Sequence, residues 1–279
     1  MRVEQLGAGD PEIAIVGSLH GDEPCGKRAI ERLLEADLEV TRPVKLVIAN
    51  EEALERNTRY VDEDLNRAFP GDPDGDTHES RLAHDVLQEI GGCTIFSLHS
   101  TQSYAEPFAL VDELDPLAES VVPHLTVEAV VETAKFSDGR LIEEEQVVEV
   151  ECGLQGSETA AENGFLLCTQ FLSGVGALAE AEPPGVDEVP VFRLERQLPK
   201  PVGVPGQYDY EVFAVNFERV AEGSVYARAN DETFVADRPF YPVLLSAYGY
   251  EDVFGYTAEL VGRLDERLLT DTGAPPEHY

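Results

Sequence analysis

The stretch 13-IAIVGSLHGDEPCGKRAIERLL-34 sets the fold class. Its first four residues form an uninterrupted apolar run, and small residues end that run at Gly17 and Ser18, so 13–20 reads as a buried strand. A helix follows. Pro24 suits a first turn, Asp22 is placed to cap it, and Ala29, Ile30, Leu33 and Leu34 return to one face at helical spacing. Working outward, the alternation recurs. The run 44-VKLVIAN-50 predicts a second strand, and the polar stretch to Gly75, punctuated by FPGDPDGD, an extended loop with turns. The segment 78-HESRLAHDVLQEIGG-92 predicts a helix closed by a glycine pair, and 94-TIFSLHS-100 a strand. Runs at 125–134 and 146–153 are rich in β-branched residues, and 158–178 is helical in pattern, with a break expected at Gly164. Strands alternating with helices imply an α/β fold built on a mixed, mostly parallel sheet flanked by helices. The Pro-rich acidic segment 180-EAEPPGVDEVP-190 reads as a connector. Short strands at 191–198, 210–220 and 239–247 then imply a smaller β-rich C-terminal domain. The expected division is 1–185 and 186–279.

Charge is the outlying feature of the 279-residue chain. Asp plus Glu number 55 against 20 Lys plus Arg, a net charge of −35, with only four lysines (Lys27, Lys45, Lys135, Lys200). Hydrophobic content stays at 43%, which fits a folded protein with an acid-coated surface and not a disordered acidic tail. Duplex nucleic acid and anionic membranes are repelled by such a surface. Salt shortens the range of the self-repulsion, so a salt-rich cytoplasm is the expected setting. No N-terminal basic region precedes an apolar one, and no apolar stretch reaches membrane length, so a cytoplasmic protein is expected. Cys25, Cys93, Cys152 and Cys168 form no C-x-x-C pair and are expected to be buried thiols. Oligomeric state stays open, a homo-oligomer included.

His20, Asn50, His99 and Glu151 each fall at or just past the C-terminal end of an expected strand, the edge at which open α/β sheets bind ligands. Histidine, carboxylate and histidine form the ligand set of a catalytic zinc that keeps a position open for water. His20 and Glu23, three residues apart across a tight turn, can reach one ion, and His99 completes the set from another strand. Between them, 57-NTRYVDEDLNRAFPG-71 concentrates Arg59, Asn66 and Arg67 in a base-poor chain. A guanidinium fork suits carboxylate binding, although Asp62, Glu63 and Asp64 are equally placed to pair with these arginines. His78, His84 and His124 have no matching partners and read as structural, and His278 lies in an expected tail.

In that order, H-G-D-E at 20–23, R-Y-x-D-x-D-L-N-R-x-F-P-G at 59–71, L-H-S-T at 98–101 and V-E-C-G at 150–153 resemble the succinylglutamate desuccinylase/aspartoacylase family, whose fold is zinc carboxypeptidase-like. The segment 241-YPVLLSAYGYE-251 is similar to the family's late tyrosine segment. The resemblance implies a deacylase of small N-acyl amino acids with one zinc ion per chain, held by His20, Glu23 and His99. It implies Glu151 as general acid/base and Arg59 as the residue polarising the scissile carbonyl. Asn66 and Arg67 correspond to the pair gripping the substrate carboxylate, and Arg140 to an arginine for an acyl-end carboxylate. Tyr250 falls at the family tyrosine, with Tyr248 competing. At the position two before the third ligand, many relatives carry an aspartate where this chain has Ser97. A carboxypeptidase acting on small peptides and a non-catalytic metal-binding relative share these residues and remain alternatives.

Overall fold

Every residue of Ile13–Gly17 is buried, and alternate side chains go to opposite sides. Ile13 and Ile15 join one apolar cluster and Ala14 and Val16 another, as the two-residue period of a strand covered on both faces requires. The computed structural model describes residues 1–36, 38–178, 188–204 and 206–265. The connector at 180–190 falls largely outside them, as do the expected boundary at 185 and His278.

Among the described residues the strands are β1 (Arg2–Leu6), β2 (Ile13–Gly17), β3 (Val44–Ile48), β4 (Thr94–Thr101), β5 (Phe108–Val111), β6 (Val130–Glu132), β7 (Val147–Leu154), β8 (Glu188–Pro199), β9 (Tyr210–Val212), β10 (Val225–Ala229), β11 (Glu232–Val235), β12 (Tyr241–Val243) and β13 (Val253–Asp265). The helices are α1 (Cys25–Glu35), α2 (Glu51–Arg56), α3 (His78–Ile90), α4 (Pro116–Val121) and α5 (Glu158–Gly174). The central sheet runs β1-β3-β2-β4-β7-β5-β6-β8-β13-β12, and β11-β10-β9 form a separate antiparallel sheet. Strands β3, β2, β4 and β7 are mutually parallel, so their C-terminal ends open on the same edge. Helices α1 and α5 cover one face, where Ile30, Leu33, Phe171 and Leu172 pack on Ile13, Ile15 and Phe96. Helix α3 covers the other through Leu82, Val86 and Ile90.

The fold class is therefore the mixed, mostly parallel sheet flanked by helices, with a β-rich C-terminal region. Strand β8 hydrogen-bonds in parallel to β6, which carries the central sheet on into that C-terminal region. Several local expectations are corrected. Helix α1 starts after Pro24 with no side-chain cap, and Asp22 Oδ1 is buried without a partner, so Asp22 is not the cap. Ser18 serves instead, its Oγ accepting from Lys27 N at 3.2 Å and donating to Glu23 O at 3.3 Å. Helix α5 runs through Gly164 unbroken, because that position packs its missing Cβ against Ala29 of α1, where a side chain would meet Ala29 Cβ at 3.2 Å. The loop expected up to Gly75 contains α2, capped by the Asn50 side chain on Ala53 N.

Candidate functional site

The turn between β2 and α1 is shaped by close backbone approach. A Cβ on Gly17 would meet the Gly26 carbonyl carbon at 2.7 Å, and one on Gly21 would meet that of Ala53 at 2.1 Å. No side chain fits at either position. The turn is thus pressed between its own helix and α2, which throws His20 and Glu23 inward over the sheet edge. His20 is 3% exposed, Glu23 4% and His99 4%.

Their donor atoms all lie within 4.8 Å of one another. Both histidines turn Nδ1 toward Glu23: His20 Nδ1 lies 2.9 Å from Oε1 and His99 Nδ1 3.2 Å from Oε2. Glu23 also accepts from Arg59 Nη1 at 3.1 Å and Ser100 N at 3.1 Å. Burial opposes its charge, but the two histidines outweigh burial and hold the carboxyl well below the usual range. The far nitrogen of His20 meets Asp64 Oδ1 at 2.9 Å, and Asp64 in turn accepts from Arg59 Nε at 3.1 Å. Burial works against the charge on His20 as well, and Glu23 with Asp64 more than offsets it, raising the imidazole above its ordinary value.

Glu151 enters from the neighbouring strand. It is the register partner of His99 in the parallel β4–β7 ladder, and its Oε2 is buried without a hydrogen-bond partner. Desolvation first, then the charges of Glu23 and Glu149, push its carboxyl up to about 7. A carboxyl with that value can hold or release a proton near neutrality.

One cavity is lined by His20, Glu23, His99 and Glu151 together with Arg59, Asn66, Arg67, Arg140 and Tyr250. Of the residues singled out from the sequence, these nine border it, and Asn50 and Tyr248 do not. Asn66 is buried, and its Oδ1 accepts from Leu141 N at 2.9 Å, docking the segment that carries Arg140 onto the loop that carries Arg67. Burial, and then the neighbouring Arg140 charge, lowers the Arg67 guanidinium. These two cations crowd each other, and Arg140 Nε has no partner. Tyr248 is 59% exposed and donates to Asp209 at 3.0 Å, outside the cavity. Asn50 does not reach the cavity either: beyond capping α2 it donates to Glu79 at 3.1 Å.

The succinylglutamate desuccinylase/aspartoacylase catalytic domain matches residues 9–162, more than half of the chain, and takes in His20, Glu23, Arg59, Asn66, Arg67, His99, Arg140 and Glu151 but not Tyr250. The chain belongs to this family. It is 29% identical over 106 residues to the N-acyl-aromatic-L-amino acid amidohydrolase (carboxylate-forming) of Xenopus tropicalis, covering 33% of this chain and 34% of that one. It is 35% identical over 77 residues to the aspartoacylase of the same species, covering 26% and 25%. The matched stretches span less than half the length of these curated relatives. In fold, it is similar to a succinylglutamate desuccinylase/aspartoacylase from Rhodobacter sphaeroides, with a TM-score of 0.74, 20% identity, and 93% of this chain and 89% of that one covered.

Three acids of this family member escaped the sequence reading as site residues. Asp64 holds His20. Glu79, fully buried at the start of α3, accepts from Val61, Asp62 and Glu63 backbone N–H groups at 2.6, 2.9 and 3.2 Å and so fixes the loop between Arg59 and Asp64. Glu149 lies behind His99. The signal for Glu79 is weak in sequence, a glutamate in the first turn of an amphipathic helix. For Glu149 it is stronger: an acid at alternate spacing from Glu151 in a valine-rich strand shares that residue's face.

Proposed function

We propose that this chain is a zinc-dependent amidohydrolase that removes the acyl group from an N-acyl amino acid. The donor chemistry fits the ion: two imidazoles and a carboxylate converge from buried positions, each histidine offering Nδ1, with the outer nitrogen of His20 tied to a carboxylate. His20, Glu23 and His99 would hold the metal, which when bound supplies a Lewis acid and lowers the pKa of a water to about 7. Glu151 takes a proton from the attacking water and returns it to the leaving amine, work for which a carboxyl near 7 is suited. Arg59 stands where it can swing from Glu23 and Asp64 to the scissile carbonyl and share its developing charge. Asn66 and Arg67 grip the amino-acid carboxylate, and Arg140 with Tyr250 borders the other end of the substrate. Cytoplasmic localisation in a salt-rich cell accords with the net charge of −35.

The observation that carries this reading is the meeting of the buried His-Glu-His trio with the raised Glu151 carboxyl in one cavity. Glu151→Gln tests it in molar salt. Turnover of the best N-acyl amino acid should fall about 10²–10⁴-fold with zinc retained. Turnover within a factor of ten of the parent would remove Glu151 from the reaction, and a zinc-loaded parent with no turnover would leave the binding-protein alternative standing.

A further inference from the structure

The proposed reaction leaves Glu149 without a role. Its side chain, on β7, is 3% exposed, and its Oε1 has no hydrogen-bond partner. A buried carboxylate left in that state is costly unless something beside it compensates. What lies beside it is the outer edge of the His99 ring: Oε1 is 3.7 Å from Nε2. The strand register explains the placement. Ser97 is paired with Glu149 and His99 with Glu151 across the parallel ladder, and residues two apart share a face. These four side chains therefore occupy neighbouring places on one face, with Ser97 and Glu149 one step behind His99 and Glu151. The imidazole is held between Glu23 Oε2, 3.2 Å from Nδ1, and the pair of Ser97 Oγ and Glu149 beyond Nε2, the serine at 3.3 Å.

A hydroxyl either donates or accepts, so Ser97 alone cannot decide which ring nitrogen carries the proton. An ionised carboxylate only accepts. A proton on Nε2 leaves Nδ1 with its lone pair toward Glu23, the arrangement in which His99 can ligate a cation. We infer that Glu149 is a positioning residue of the metal centre, whose carboxylate, with Ser97, fixes the His99 ring with Nε2 protonated and Nδ1 presented to a divalent cation. This rests on the proposal that His20, Glu23 and His99 are the ligands. Asp64 stands in the same relation to His20, at 2.9 Å from its outer nitrogen.

The test titrates Zn2+ alone into metal-free protein against a chromogenic chelator, in molar salt, for the parent, Glu149→Gln and Ser97→Asp/Glu149→Gln. Glu149→Gln should weaken zinc binding about 10–100-fold, while the urea midpoint of the metal-free protein stays level or rises, because an unpartnered buried carboxylate has gone. An aspartate at position 97, on the same side of the ring, should restore most of the lost affinity. Zinc affinity within about twofold of the parent in Glu149→Gln overturns the inference, as does a parallel loss of metal-free stability without rescue. A parent that takes up no zinc overturns the ligand assignment itself; a parent that binds and a Glu149→Gln protein that binds equally overturns this inference alone. If Glu149→Gln fails to fold, the zinc-loaded parent labelled with ¹⁵N-histidine decides: a His99 Nε2 proton shifted downfield, as donation to a carboxylate requires, supports the inference, and one at the shift of an imidazole N–H without a charged acceptor refutes it.

Discussion

Replacing Glu151 by Gln should alter how the stability of the metal-free protein depends on pH. The folded carboxyl stands at about 7 against an ordinary value of 4.5, chiefly through desolvation and then through the charges of Glu23 and Glu149, partly relieved by His99 and His20. Between those values the folded protein keeps a proton that the unfolded chain has released. By linkage, the stability tied to that proton is complete below about pH 4.5 and is lost as pH rises through 7. At about 1.4 kcal/mol per pH unit the gap corresponds to about 3 kcal/mol. Glu151 is partly open to the cavity and the unfolding is run in molar salt, so about 1–3 kcal/mol is the expected loss. Glutamine fills the same space without titrating. Urea unfolding of the parent and the variant, with chelator present, at pH 5 and pH 8 isolates the difference, because His20, His99 and Glu23 titrate in both proteins. The parent should lose about 1–3 kcal/mol relative to Glu151→Gln over that interval. A gap between the two that stays constant within about 0.5 kcal/mol would show that the carboxyl titrates normally, and with it the raised proton affinity assigned to the site would fall.

Glu79→Ala should destabilise the protein by about 3 kcal/mol in urea unfolding at neutral pH, because it orphans three backbone donors and the Asn50 amide. Those bonds lower the Glu79 carboxyl against the opposing effect of burial, so in the parent this stability is present above the ordinary carboxylate value and lost as pH falls through the lowered one. Arg140→Ala should change the ratio of kcat/KM between N-succinyl-glutamate, N-acetyl-aspartate and an uncharged N-acyl amino acid by about 10–100-fold, the range of one charge-assisted pair; unchanged ratios would take Arg140 out of the substrate pocket. Lys200 is 6% exposed and its Nζ donates to the carbonyls of Ala247 and Tyr250, the segment that brings Tyr250 to the cavity. Lys200→Met should therefore raise KM several-fold and lower the unfolding free energy by about 1–3 kcal/mol; an unchanged KM would mean the segment holds its shape without that clamp.

What was legible in the sequence follows from how local each signal is. Strands β2, β3 and β4 and helices α1 and α3 announce themselves through periodicity, since each buries a face large enough to impose a pattern. Helix α2, six residues long, carries no such pattern; it exists because Asn50 caps it and Gly21 packs on its backbone. Strand β1 is exposed through its middle and is held chiefly by antiparallel pairing to β3, whose partner residues lie 38 to 46 positions away and outside any local window. Asp22 was misread because an acid before a helix is an ordinary cap, whereas here Ser18, four residues earlier and at φ +57°, folds back to take the donor. The site residues that reach the cavity directly were legible because their types are scarce or patterned in this chain. Those that act through another side chain were not, since Glu79 and Glu149 look like any of 55 acids until burial separates them.

So acidic a chain could bind the proposed anionic substrate only where its own field does not reach. A net charge of −35 sets up a field that repels carboxylates at long range, and salt confines the field to within a few ångströms of the surface, about 3 Å at molar concentration. Selection by charge must then occur inside the cavity, beyond the reach of that screening. There Arg67 and Arg140 crowd each other enough to lower one guanidinium, so an incoming carboxylate relieves a repulsion as well as making bonds. Glu23, which lines the same cavity, is committed to two histidines and Arg59, and Asp64, on the outer nitrogen of His20, to His20 and Arg59. Glu151 alone among these three is raised toward its neutral form. The cavity can therefore offer cations to a carboxylate and also hold a transferable proton, the two properties an amide hydrolysis of an acidic substrate requires.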